Sequence, residues 1–555
     1  MPRREESTVV ALAGPAALLA VALLSLGARI HPLHLAPLVQ PLLRAGASVS
    51  RVRASGQIWP TPLGAGAAIL AALLLGLSLA LRRGQGPRLG AGLLGRARRA
   101  GEGDLRRLRG GMPRSRRSGP RVRLGDHHRR SLWLPCEEHL LALGPTGSGK
   151  SSGLAIPAIL EWPGPVVVTD PKGELVSSTL AHRRRLGRVA IFAPLMRPSA
   201  AWNPVASIAS SEDALRVATF LMSRPPEREP FWHDLARQLL HGMLIEASQQ
   251  GLTLARLLES LQVEPAETLA AKLSHPVARR LAQGALSGGE RTAMGVVATL
   301  VSQLGAYGSD QVAQATAESD FDPKAMAGGG LGTLYCVVAP HDAPVLRGLV
   351  SALISCCWRG LFAAPPQPPA LFVLDEFTQL TNLPELPALA QLGRSQGVRL
   401  LLMAQDLGSI TATYGREAAG ALWSNCATKL LLPGISELEL LERVSKLAGT
   451  TTLHRGEGEL SRQPVASHPL LQPDDVRRLR PGRALLLHGG DQPALIQQHR
   501  WFQDRALRRL VLPPPGGLLP APAPGRPLRD WIEPTMAREA PTDSLRWQGG
   551  ETTAA

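Results

Sequence analysis

Nine residues in the second hundred of the chain have the types and spacing that hold phosphate. They are Gly144, Pro145, Thr146, Gly147, Ser148, Gly149, Lys150, Ser151 and Ser152. Glycines let backbone N–H groups close around a phosphate chain at the N-terminus of a helix. Lys150 is placed to reach the β- and γ-phosphates of ATP, and the Ser151 hydroxyl to help hold Mg²⁺. The apolar run Leu140–Leu143 precedes this loop and a helical apolar pattern begins at Leu154, so the motif has the strand–loop–helix setting that its chemistry needs.

A second set of candidates follows Ala370–Leu374, which reads as a buried parallel strand ending in Asp375 and Glu376. Asp375 is the expected partner of Mg²⁺, and Glu376 the group that orients and polarises an attacking water. Beyond it, Val398–Ala404 is another core strand, and it ends in Gln405. Gln405 there either senses the γ-phosphate or caps the next helix. Arg394, just before that strand, either reaches a neighbouring subunit's phosphate or is a solvated loop arginine.

These groups need a sheet to hold them. Pro165–Thr169, Val189–Phe192, Gly332–Val338, Lys429–Leu432 and Ala484–Leu487 all read as strands. Alternation with helical stretches predicts an α/β fold, a mainly parallel sheet with helices on both faces. Lys150 and Asp375 are 225 residues apart, far more than such a core requires. Within that interval, residues 205–325 are poor in β-branched runs. Phe231, Leu235, Leu239 and Met243, then Val297, Leu300, Val301 and Leu304, recur at helical spacing. An all-helical subdomain inserted in the sheet domain is expected. The Phe231-Trp232 pair at its start reads either as core or as a DNA contact.

Two stretches without charge, about 9–28 and 63–81, are each long enough to cross a hydrocarbon core of about 30 Å as helices. A cleaved signal peptide is the other reading of the first. Residues 82–130 carry sixteen Arg against Glu102, Asp104 and Asp126, so the positive-inside bias places the long C-terminal part in the cytoplasm. The same stretch reads as a topology signal on a linker, or as a site for DNA or anionic lipid. Net charge is +17, yet only 6 of the 61 basic residues are Lys, a bias that suits a high-GC genome as much as a ligand. Aromatic residues are 4%, which disfavours a surface built mainly of base-stacking platforms. The 5 Cys include no C-x-x-C pair, which excludes a disulfide scaffold or a Cys-rich zinc site. Seven Pro fall within 513–527, and 511–555 is expected to be a disordered tail.

Taken together, Gly144–Ser151, Asp170-Pro-Lys-Gly-Glu174, Phe231-Trp232, Leu374-Asp-Glu-Phe377 and Gln405 resemble the type IV secretion coupling proteins, the membrane-anchored DNA-transfer ATPases of bacterial conjugation (TraG/TraD type). The likeness runs over about residues 1–510. It implies a RecA-like nucleotide-binding domain at 131–204 and 326–510, with the all-alpha insert at 205–325. A two-helix membrane anchor at 1–82 and an Arg-rich linker at 83–130 precede it. It also implies a multi-pass protein of the cytoplasmic membrane, with the motor in the cytoplasm and ATP bound between the subunits of a homo-hexamer. Arg394 matches the arginine that acts from the neighbouring subunit. The partners implied are relaxase-bound, single-stranded DNA, the other relaxosome proteins and a type IV secretion channel. A coupling ATPase that exports effector proteins only would have the same motor. An FtsK-like chromosomal translocase is disfavoured, since a Pro-rich tail stands where that kind carries a winged-helix DNA reader.

Overall fold

The structure, a computed structural model, describes residues 97–109, 120–135, 137–196, 199–222, 230–393, 395–453 and 466–511. Both expected membrane spans, Arg394 and residues 512–555 of the tail lie outside the described residues. The chain divides into two units, one of Met1–Arg96 with Thr452–Ser467, the other of Ala97–Thr451 with His468–Ala555. The second unit carries the sheet, the helical insert and the nucleotide motifs.

Eleven strands form one sheet. They are β1 (Val122–His127), β2 (Arg130–Leu134), β3 (Leu140–Leu143), β4 (Val166–Asp170), β5 (Val189–Phe192), β6 (Thr333–Val337), β7 (Ala370–Leu374), β8 (Val398–Ala404), β9 (Thr428–Leu431), β10 (Arg483–His488) and β11 (Ala494–Gln497). Their order is β2-β1-β11-β10-β9-β3-β8-β7-β4-β6-β5. From β9 to β5 every neighbouring pair is parallel. From β9 outward through β10, β11 and β1 to β2 every pair is antiparallel. The sheet is mainly parallel, as expected, but Ala484–Leu487 lies in its antiparallel wing. The expected linker 83–130 ends earlier than its composition suggested. Val122–His127 is already a strand paired with β11, because its Leu124 is buried on one face of the sheet.

Alternation along the central strands divides their side chains between two cores. Leu141 and Leu143 of β3, Phe372 and Leu374 of β7, and Leu400 and Leu402 of β8 face one core. Leu140, Ala142, Leu371, Val373, Leu401 and Met403 face the other. The second core is covered by the helix after the phosphate loop, which starts as a wide turn at Ser151–Ala155 and continues as α1 (Ile156–Glu161), and by α2 (Glu174–Leu186).

The helical insert lies between β5 and β6, as its periodicity predicted. It contains α3 (Ser211–Leu221), α4 (Pro230–Gln250), α5 (Leu254–Val263), α6 (Ala266–Lys272), α7 (Pro276–Leu286), α8 (Glu290–Leu304) and α9 (Asp310–Ala315). Helix α3 starts where the Ser210 side chain accepts from Asp213 N, with Glu212 and Asp213 in its first turn to meet the helix dipole. Helix α4 is the insert's spine, and α3, α7 and α8 pack on it. Its apolar stripe becomes core only from Ala236 onward. Phe231 is 60% exposed and Trp232 half-buried against Gly295 of α8, so a core role fails for Phe231.

Helix α10 (Ala343–Ala363) is the one helix among the described residues long and apolar enough to cross a membrane. Most of it is buried in the first core, where it also meets α3, so its hydrophobicity is accounted for by packing. Short helices α11 (Phe377–Leu380) and α12 (Leu386–Leu392) follow β7, and α13 (Leu407–Tyr414) follows β8. The described chain ends in α14 (Arg505–Val511), packed on α1 and α2.

Candidate nucleotide site

The site forms at the C-terminal ends of β3, β4, β7 and β8, four adjacent parallel strands. Ligands of open α/β sheets bind at this edge because the loops and helix N-termini converge there. Gly144 continues β3, its N–H donating to Ala404 O at 3.2 Å. A Cβ at Gly144 would sit 2.7 Å from Leu432 Cβ, so only glycine fits the turn. The loop then closes over Lys150, which is 6% exposed. Its ammonium donates to the Gly144 carbonyl and lies 3.2 Å from Glu376 Oε1.

Asp375 and Glu376 leave β7 together. Thr169 of β4 donates to the Asp375 carbonyl at 2.9 Å, and Glu376 N donates to Asp375 Oδ1 at 3.1 Å. Burial pushes the Asp375 carboxyl up to about 7. The Glu376 carboxylate adds to the shift and Lys150 opposes it. Glu376 has φ 46°, a left-handed conformation rare outside glycine and one that stores strain. Its Oε2 is buried with no hydrogen-bond partner among the described residues.

The segment Asp170-Pro-Lys-Gly-Glu174 supplies two more carboxyls to the same place. Asp170 is buried and accepts from the backbone N–H of Lys172, Gly173 and Val176 at 3.2, 2.7 and 2.8 Å, so it holds the start of α2. Burial nonetheless raises it to about 6. Glu174 lies beside the Ser151 side chain, and its carboxyl is raised by burial, against the pull of Lys172 and Ser151. The closeness of Glu174 to the phosphate-loop serine was not legible in the sequence, although its motif was visible.

Gln405 stands half-buried at the end of β8, between the ends of β3 and β7. It does not cap α13. Asp406 does, accepting from Ser409 N at 2.7 Å. Arg394, between α12 and β8 in the sequence, is outside the described residues.

Sequence reading missed Gln498. It follows β11, is 4% exposed, and its Nε2 donates to Ser148 O of the phosphate loop at 3.0 Å. Nothing local marks it, since 350 residues separate the two partners.

Residues 113–523 match the family model described as type IV secretory system conjugative DNA transfer. The chain belongs to that family. Among the proteins similar to it, VirD4 of Rhizobium rhizogenes is 27% identical over 419 residues, 69% of this chain and 62% of that protein. The conjugal transfer protein TraG of Escherichia coli is 28% identical over 396 residues, 62% of each chain. The chain thus spans about three-fifths of the length of the curated relatives it matches. Solved structures of the bacterial conjugative coupling protein TrwB have the same fold. The unbound form superposes with TM-score 0.60 at 19% identity, over 73% of this chain and 93% of that one. The complex with ADP and Mg²⁺ gives 0.59 at 19%, over 75% and 96%.

Proposed function

We propose that this protein is a membrane-anchored ATPase that couples a relaxase-bound DNA strand to a type IV secretion channel and drives its transfer. The family match supports the DNA-transfer part. The observation that carries the ATPase is the buried pair Lys150–Glu376, 3.2 Å apart at the mouth of the glycine loop. No packing need places an ammonium and three further carboxyl groups together at a strand edge.

The residues fit a nucleoside triphosphate with Mg²⁺. The loop 144–152 offers its N–H groups around Lys150, and Glu376 Oε2 and Ser148 Oγ are buried polar atoms without partners among the described residues. Among those residues no group of three or more His, Cys, Asp or Glu could hold a metal ion. Mg²⁺ usually takes one or two carboxylates together with substrate phosphates. Ser151 and Asp375 would hold it, and it would neutralise charge on the phosphates. The related TrwB has been solved with ADP and Mg²⁺.

Lys150 is shared between Glu376 and its own loop carbonyls. A triphosphate competes for that ammonium, so binding frees the Glu376 carboxylate. Glu376, held in its strained conformation, then orients a water toward the γ-phosphate and accepts its proton. Gln405, on the adjacent strand, registers the loss of that phosphate, and Arg394 of one subunit completes its neighbour's site. A trans arginine implies a ring, in keeping with a homo-hexamer tethered to the cytoplasmic membrane by residues 1–82.

Full-length protein in detergent should hydrolyse ATP faster when single-stranded DNA is added. Lys150→Ala should abolish that activity while the protein stays folded. Undiminished turnover in this variant would overturn the site.

A further inference from the structure

The geometry points to Gln498 as a positioning residue that fixes the orientation of one peptide in the phosphate loop. The inference rests on the nucleotide site proposed above and adds a residue that no loop motif contains. Gln498 Nε2 donates to the carbonyl of Ser148 at 3.0 Å. In a planar trans peptide the Ser148 C=O and the Gly149 N–H point in opposite directions. Tethering the carbonyl to Gln498 therefore turns the Gly149 N–H away from Gln498, toward the side where the loop receives phosphate.

The tether is needed because this peptide is free to flip. Gly149 has φ 97°, and glycine tolerates either orientation. A Cβ at Gly149 would come within 2.7 Å of Gln498 Oε1, so the two residues are fitted to each other. Packing alone does not require an amide at 498. Its Oε1 is buried with no hydrogen-bond partner among the described residues, a cost that a methionine of similar shape would not carry.

Gln498 is itself anchored on both sides. Its backbone N–H donates to Gly482 O at 2.8 Å. The next residue, His499, is gripped by Asp126 Oδ2 of β1 at 3.0 Å through Nδ1, and by Asp504 Oδ2, just before α14, at 2.8 Å through Nε2. The antiparallel wing thereby supports the loop from beneath through a single side chain.

The test compares Gln498→Met, which keeps the shape and removes the donor, with Gln498→Glu, which also sets a carboxylate against the Ser148 carbonyl. Both are made in the full-length protein, with Lys150→Ala as control. Removing one ordinary hydrogen bond should raise the KM for ATP about five-fold in the Met variant, with kcat within about two-fold of the parent. The Glu variant should raise KM further. Titration of the folded fraction with fluorescent ADP reports the same affinities whatever the yield of folded protein. Unchanged ADP affinity and KM in both variants, or a fall in kcat at constant KM, overturns the inference. Should Lys150→Ala remain active, the nucleotide site itself is wrong. A dead Lys150→Ala beside unaffected Gln498 variants sinks only the tether.

Discussion

Asp375 is the residue whose ionisation is most displaced by its surroundings among the site carboxyls. Its pKa of about 7 means that the folded chain binds its proton more tightly than the unfolded chain does. The resulting stability is complete below the ordinary aspartate range and is lost as pH rises toward about 7. The nucleotide-free protein therefore holds an unfavourable charge at pH 8, which Mg²⁺ would compensate. Replacing Asp375 with Asn should raise the Tm of nucleotide-free protein by several degrees at pH 8 and have little effect near pH 4.5, while removing Mg²⁺-dependent hydrolysis. Thermal denaturation at the two pH values checks this. An equal shift at both would show that the carboxyl is not desolvated as described.

The Gln498 side chain, just past β11, makes the antiparallel wing part of the site. Its stability depends on His499, raised above the ordinary range first by the hydrogen bond to Asp126 and then by Asp504, against burial and the charge of Arg123. Arg123 also pairs with Asp504 at 3.0 Å. Glu161 of α1 lies in the same cluster, and burial pushes it up to about 7. Asp504 is held at about 2 by its His499, Arg123 and backbone hydrogen bonds, which outweigh its burial. Stability from the raised His499 is complete below its unfolded pKa and falls as pH rises through the folded one. Stability from Asp504 is lost only as pH falls toward about 2. His499→Gln should accordingly lower the Tm more at pH 6 than at pH 8.5. Calorimetry at both pH values decides, and an equal loss would mean that the imidazole is not charged in the folded protein.

At the scale of the whole molecule, the proposed ring, in which Arg394 of one subunit completes its neighbour's site, can be tested by mixing subunits. A subunit inactivated by Arg394→Ala and another inactivated by Glu376→Gln should recover part of the ATPase activity when mixed. In such rings some interfaces combine an intact glutamate with an intact neighbouring arginine. Verified mixed rings without recovery would assign Arg394 a local role. The wing, the insert and the parallel core form one unit.

The local motifs were legible because their chemistry is encoded in adjacent residues. A glycine loop between a strand and a helix, and two acids ending an apolar strand, have few other uses. The helical insert was legible through its period, and the parallel core through its apolar runs. The exposure of Phe231 was not, since periodicity identifies a helix face but not where along the helix the covering partner stops. The strand at 122–127 was hidden within an arginine-rich stretch whose charge masks its buried Leu124. Short range could not show that Glu174 meets Ser151 or that Gln498 holds Ser148. The first depends on α2 packing beside the helix that follows the phosphate loop. The second depends on a carboxyl-terminal strand returning beneath the loop. Sequence determines which groups are available and how adjacent ones are spaced. Only chain folding sets contacts between residues hundreds of positions apart, because a hydrogen bond reaches about 3 Å and the sheet order decides which strand ends come within it.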